Sequence, residues 1–300
     1  MIKTIIFFIA PLILTSPLSA STVLAPKGNR PKAIIVFLHG CKMDGKAFAK
    51  LTGIEKEIEK ENIVAFFPSQ NSSNNSDHCW NWFLPVNQSR FISFEHFSIF
   101  SEMQELQKKY GLTAEQTYLT GLSSGAAYAM NLMSCFPEKF NGLAIHSGLS
   151  YLAATDIFYA NQALIQGPQF NAVMTAQAAY KCGGFFHRPK KTLLIHGKAD
   201  VRVNPKNFFE TTEHFVHLND YFDDGYRNNS FPTIVSTKTI SPQGRYSYQE
   251  SRYTSAGKEI LRTLFIDQLQ HKWSGGSVNE TYADSSGPNI NHIMLDYFLK

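Results

Sequence analysis

Short, unbroken apolar runs alternate with longer stretches of helical spacing through most of this chain. "KAIIVFL" (32–38) has no polar interruption after its lysine, the pattern of a strand buried on both faces in a parallel sheet. "GKAFAKLTGIEKEIEKEN" (45–62) then sets Phe48, Leu51, Ile54 and Ile58 at helical intervals. "IVAFF" (63–67) predicts a second strand and residues 93–111 a long helix. "QTYLT" (116–120) and the segments 140–148 and 191–200 continue the strands, and "SGAAYAMNLMSCF" (124–136) is a helix small enough to pack closely on a sheet. Later come three further strand candidates, "PTIVSTKTI" (232–240), "RYSYQESRYT" (245–254) and "KEILRTLFI" (258–266), and a closing helix, "NINHIMLDYFLK" (289–300). Strands alternating with helices specify an α/β fold, a mostly parallel sheet covered by helices on both faces. Residues 68–91, polar and aromatic by turns, are too long for an ordinary connection and predict a surface loop near a site.

Composition narrows the setting. The first twenty residues carry one lysine, a short apolar stretch broken by Pro11 and small residues near Ala20, the pattern of a secretory signal. The expected organisation is a signal peptide over 1–20 and one catalytic domain over 21–300, secreted to the periplasm or the cell exterior and not inserted in a membrane once the signal is removed. A net charge of +4, scattered along 300 residues, gives no footprint for nucleic acid. Cys41, Cys79, Cys135 and Cys182 lack C-x-x-C spacing, so in an exported chain they read as two disulfides and not as metal ligands. Three pairings satisfy four cysteines, and spacing does not choose among them.

The chemistry centres on "GLSSG". Gly121 and Gly125 frame Ser123 as G-x-S-x-G between a strand and a helix, the setting in which a serine hydroxyl is held exposed at a sharp turn. A serine needs a base beside it and an acid to orient the base, and on this fold the chain order is serine, acid, histidine. Asp200 closes the strand "KTLLIHGKAD" and is the acid candidate; Asp220, Asp223 and Asp224 read as a solvated turn. His271, in a loop beside Gly275 and Gly276, is the base candidate ahead of His292, expected on the apolar side of the last helix. His214 and His217 read as a helix face, and His39, His146 and His196 as rings satisfied by backbone groups. An oxyanion hole would take its N–H groups from Ser124, after the nucleophile, and from Cys41, in the loop after the first long strand. Trp80, Trp82, Tyr151 and Trp273 flank these loops and either line a cleft for an apolar ester or pack the core; for the pair Trp80 and Trp82 we expect one of each.

"LHGC", "CWNWF", "GLSSG", "HGKADVRVNP" and "HKWSGG" with "GPN", in this order, resemble the extracellular polyhydroxybutyrate depolymerases, secreted α/β-hydrolases that also resemble feruloyl and acetylxylan esterases. The resemblance runs from about residue 30 to the C-terminus. It implies Ser123 as nucleophile, Asp200 as acid, His271 as base, the Cys41 and Ser124 N–H groups as oxyanion donors, and a Cys41–Cys79 bridge that leaves Cys135 to Cys182. It also implies a polyester or oligoester substrate, with feruloyl or acetylxylan esters as the alternative, and no metal or organic cofactor. Two departures stand out: a serine at position 124, where the family more often has Ala or Gly, and no linker or polymer-binding domain after the catalytic region. A non-catalytic binding protein on the same scaffold would most simply have lost a member of the triad, and all three are present.

Overall fold

The computed structural model describes residues 21–28, 30–222, 224–231 and 236–300; the signal expected over 1–20, Asp223 and the start of "PTIVSTKTI" lie outside the described residues. Nine strands form one sheet: β1 (Thr22–Leu24), β2 (Ala33–Leu38), β3 (Ile63–Phe67), β4 (Thr117–Leu122), β5 (Gly142–His146), β6 (Lys191–Gly197), β7 (Ser236–Ile240), β8 (Tyr248–Ser255) and β9 (Lys258–Ile266). Their spatial order is β1-β3-β2-β4-β5-β6-β9-β8-β7. The six from β3 to β9 run parallel, and antiparallel strands close both edges, β1 on one side and β8 and β7 on the other.

The continuous apolar runs are explained by two cores, one on each face of the sheet. Successive residues of β2 feed them in turn: Ile34, Val36 and Leu38 enter one core, and Ala33, Ile35 and Phe37 the other. A strand buried on both faces has no solvent side and so no polar alternation. Helices α1 (Gly45–Thr52), α2 (Glu55–Glu61), α3 (Phe94–Tyr110), α4 (Ser124–Cys135), α5 (Ile157–Gln166), α6 (Ala172–Gly183), α7 (Lys206–Asp220) and α8 (Ile290–Leu299) supply the cover. The single helix expected over 45–62 is two, because Gly53 takes φ 63° and ends α1 with its N–H on Ala49 O. The hydrophobic pattern does not mark helices α5 and α6. Their starts carry ordinary caps, Asp156 accepting from Tyr159 N and Asn171 from Met174 N, but α5 exposes Ile157, Phe158 and Ile165, which blurs its amphipathic stripe. A short parallel pair, β10 (Trp273–Ser274) and β11 (Ala283–Asp284), stands apart from the main sheet.

Parallel strands deliver the loops after β2, β4, β6 and β9 to one end of the sheet, where catalytic groups gather in open α/β folds. Among the described residues no helix is long and apolar enough to cross a membrane.

Candidate active site

Strand β4 ends at Leu122 and helix α4 begins at Ser124, so Ser123 alone makes the turn. It does so at φ 59° and ψ −122°, a left-handed conformation that costs a non-glycine residue about 1–3 kcal/mol. Backbone bonds on both sides hold it, Ser123 N donating to His146 O at 3.1 Å and Ala127 N donating to Ser123 O at 3.0 Å. The framing glycines are required by space. A Cβ on Gly121 would lie 2.5 Å from the Gly125 carbonyl carbon, and one on Gly125 would lie 2.1 Å from Leu38 O and 2.5 Å from His39 O. The turn is therefore wedged against the end of β2, which brings the loop after β2 to the serine: a Cβ on Gly40 would sit 3.5 Å from Ser123 Cβ.

Asp200 lies three residues into the loop after β6, buried and fully hydrogen-bonded. One carboxylate oxygen accepts from Arg202 N and Val203 N, each at 2.9 Å, and the other lies 2.8 Å from His271 Nδ1. Burial pushes the carboxyl up, but the hydrogen bond and charge of His271, then His196 and the Val203 N–H, outweigh it and leave Asp200 below its ordinary value. An ionised carboxylate here fixes Nδ1 of His271 as the donor and leaves Nε2 as the nitrogen free to accept. His271, Ser123 and Cys41 line one cavity of about 170 Å3. A larger groove of about 690 Å3 lies at Lys191, Lys258 and Tyr297, where β6 and β9 begin, and holds none of these groups.

Neutral histidines tie the loops together. His39 donates through Nδ1 to Gly40 O at 2.8 Å and accepts at Nε2 from Gln70 N at 3.0 Å, and burial lowers it to about 4. His146 accepts at Nε2 from Ser274 N at 3.2 Å, and burial, with His196 and His271 nearby, lowers it to about 3. His196 donates to Val203 O at 2.9 Å. All three are the backbone-satisfied rings expected from sequence. His214 is buried on α7 beside Thr175 Oγ1, 2.9 Å away, whereas His292, expected on the apolar side of α8, is exposed.

Both disulfides join the expected partners, Cys41 to Cys79 and Cys135 to Cys182. The first clamps the loop after β2 to the 68–91 segment. Ser124 Oγ lies 3.4 Å from Cys41 Sγ, and because a disulfide sulfur carries no proton, the hydroxyl is the donor. Ser124 thus contributes a side-chain tie as well as the first N–H of α4.

The aromatics expected at the cleft stand elsewhere. Trp80, Trp82, Tyr151 and Trp273 are all buried, and none lines the cavity. Trp80 packs between His39 and Tyr128, Trp273 stacks on His146 and donates to Asn291 Oδ1, and the Tyr151 hydroxyl donates to Gln88 O. Trp82 lies edge-on to Phe83 with its carbonyl accepting from Asn131 and Gln88. These four rings support the site loops by packing, so both members of the tryptophan pair are packing residues. Asp220 is likewise not in a solvated turn but buried, accepting from Asn229 N, Phe231 N and Ser230 Oγ.

Glu95 escaped notice in the sequence. This buried carboxylate on α3 accepts from the side chains of Gln70, Asn81 and Asn87 and from Asn81 N, with burial raising its pKa against those bonds. The usable signal was the run of Asn and Gln between 70 and 88, amides that need an acceptor once buried. Among the described residues no group of three His, Cys, Asp or Glu is arranged to hold a metal.

A family model described as Esterase PHB depolymerase matches residues 18–231. Poly(3-hydroxyalkanoate) depolymerase C of Paucimonas lemoignei is 30% identical over 196 residues, 64% of this chain and 46% of that protein. The chain therefore spans less than half of that relative. Acetylxylan esterase A of Aspergillus ficuum is 23% identical over 250 residues, 79% of this chain and 75% of the relative. Among solved structures, the acetyl xylan esterase from Aspergillus awamori superposes with a TM-score of 0.73 at 18% identity, covering 93% of each chain, which establishes the α/β-hydrolase fold.

Proposed function

The chain belongs to the PHB depolymerase family of esterases, and on that premise we propose that it cleaves carboxylic esters through an acyl-enzyme on Ser123. One observation carries the assignment: the 2.8 Å bond between Asp200 and His271, at a cavity that Ser123 shares. His271 Nε2 takes the proton of Ser123 Oγ as that oxygen bonds to the ester carbonyl carbon. Asp200 keeps Nδ1–H in place and stabilises the imidazolium. The N–H groups of Cys41 and Ser124 receive the developing oxyanion, and the proton passes to the departing alcohol. Water, deprotonated by the same His271, then releases the acid and restores Ser123.

The substrate we favour is a short oligoester of hydroxyalkanoic acids. At about 170 Å3 the cavity is smaller than a typical ligand pocket of roughly 300 Å3 or more, which suits one short hydroxyalkanoate unit. Leu122, Leu164 and Val203 give it apolar walls, and a depolymerase is among the chain's relatives. Acetyl esters of xylan are the second reading, supported by a relative that aligns with more of this chain, 79%. The two disulfides support export to an oxidising compartment.

Hydrolysis of p-nitrophenyl butyrate by the wild type should fall roughly a thousandfold or more in Ser123→Ala. Equal rates would remove Ser123 from the chemistry. Hydroxybutyrate trimer and acetylated xylan, supplied side by side, separate the two substrates; release of acetate with no attack on the trimer would select the second.

A further inference from the structure

The catalytic cavity carries two cations and no carboxylate. Lys42 and Arg202 both line it, no Asp or Glu does, and neither cation takes part in an ion pair among the described residues. Both emerge from fixed backbone. Lys42 stands at φ 63° with its N–H on Asp77 O at 2.7 Å, next to the Cys41–Cys79 bridge. Arg202 has its N–H on Asp200, and its guanidinium lies 5.6 Å over the ring of Tyr282, another wall of the cavity. Lys42 and Arg202 are both exposed, so their charged ends are free to meet an anion at the mouth of this recess, and a guanidinium matches a carboxylate better than any other common anion apart from phosphate.

We propose that Arg202, with Lys42, forms a carboxylate subsite that holds the free acid end of a short oligoester while Ser123 attacks an ester bond nearby. The proposal rests on the esterase reading above and goes further by naming the end of the substrate that is recognised. Apolar walls with cations at the same cavity suit an apolar chain that ends in an anion. Neutral acetylated or feruloylated sugar esters have no group to place there. Each cleavage of an oligoester leaves a new carboxylate, so products keep the recognised group and shorter chains remain ligands.

Binding is measured by calorimetry on Ser123→Ala, which does not turn ligand over, with the linear 3-hydroxybutyrate trimer as free acid and as its primary amide. The acid should bind about tenfold tighter than the amide, and the difference should shrink as salt is raised. Adding Arg202→Gln, or Arg202→Gln with Lys42→Gln, should level the two ligands, while Arg202→Lys keeps part of the preference. Equal binding of acid and amide, or no binding of either, overturns the subsite. That result is separate from the esterase test: hydrolysis of p-nitrophenyl butyrate that is lost in Ser123→Ala leaves the esterase assignment standing even if the subsite falls.

Discussion

At the scale of single residues, the turn at Ser123 depends on what is missing from its neighbours. Gly125 stands where a Cβ would meet the carbonyl oxygens of Leu38 and His39, backbone atoms at the end of β2, where Leu38 is paired with Gly121 of β4. Gly125→Ala should therefore cost at least about 1–3 kcal/mol, the ordinary penalty of overpacking, and urea unfolding checks it. A variant as stable as the wild type would mean that the elbow and β2 can slide apart. Gly40→Ala is the internal control, since its new Cβ would find Ser123 Cβ at 3.5 Å, an ordinary contact. The same residues explain what could be read in advance. A glycine pattern around a serine states its own steric reason, and Asp200 and His271 follow from chain order and loop position. The aromatics state nothing of the kind. Trp80 and Trp273 look the same in sequence whether a ring faces substrate or packs on a histidine, and only the packing partners decide.

Among the elements, the 68–91 segment depends most on a single group. Apart from a short 3-10 turn at Pro85–Gln88 it has no regular structure, yet Trp80 and Trp82 within it are buried. Its ladder is replaced by Glu95, which gathers the amides of Gln70, Asn81 and Asn87 on one carboxylate. Gln70 in turn passes its N–H to His39, whose other nitrogen holds Gly40 O beside the serine. Glu95→Ala leaves several buried donors without an acceptor and should cost on the order of 3 kcal/mol. Glu95→Gln, which keeps one acceptor, should cost less. Denaturant unfolding with limited proteolysis of the segment is the measurement, and a Glu95→Ala protein as stable and as protease-resistant as the wild type would show that the amides find other partners. The central parallel strands β2 to β6 were legible because burial on both faces writes itself as unbroken apolar runs. This segment was legible only as a loop of unusual length, because its order comes from a carboxylate outside it.

For the whole molecule, the supporting histidines set a limit in acid. His39 and His96 are held near pKa 4 and His146 and His214 near 3, in each case chiefly by burial. An exposed histidine in the unfolded chain titrates near 6.5. Between those values the unfolded chain binds protons that the folded one refuses, so stability rises with pH and is lost as pH falls from about 6.5 towards 4. At pH 5 each ring has withdrawn about 2 kcal/mol, and four of them rival the 5–15 kcal/mol that holds an ordinary domain together. Asp200 does not offset this, because its lowered pKa keeps its own contribution intact until pH falls below the carboxylate range. Unfolding free energy measured by urea from pH 8 to 4 should therefore be level above about 7 and fall steeply below 6, and the loss should be reversible on return to neutral pH. His214 separates this cause from general acid effects. It lies on α7 away from the cavity, bonded to Thr175, so His214→Gln should make the fall below pH 6 shallower by about a quarter, one ring of the four. A profile flat to pH 4.5, or one unmoved by that substitution, would mean that the buried rings protonate in place without loosening the fold.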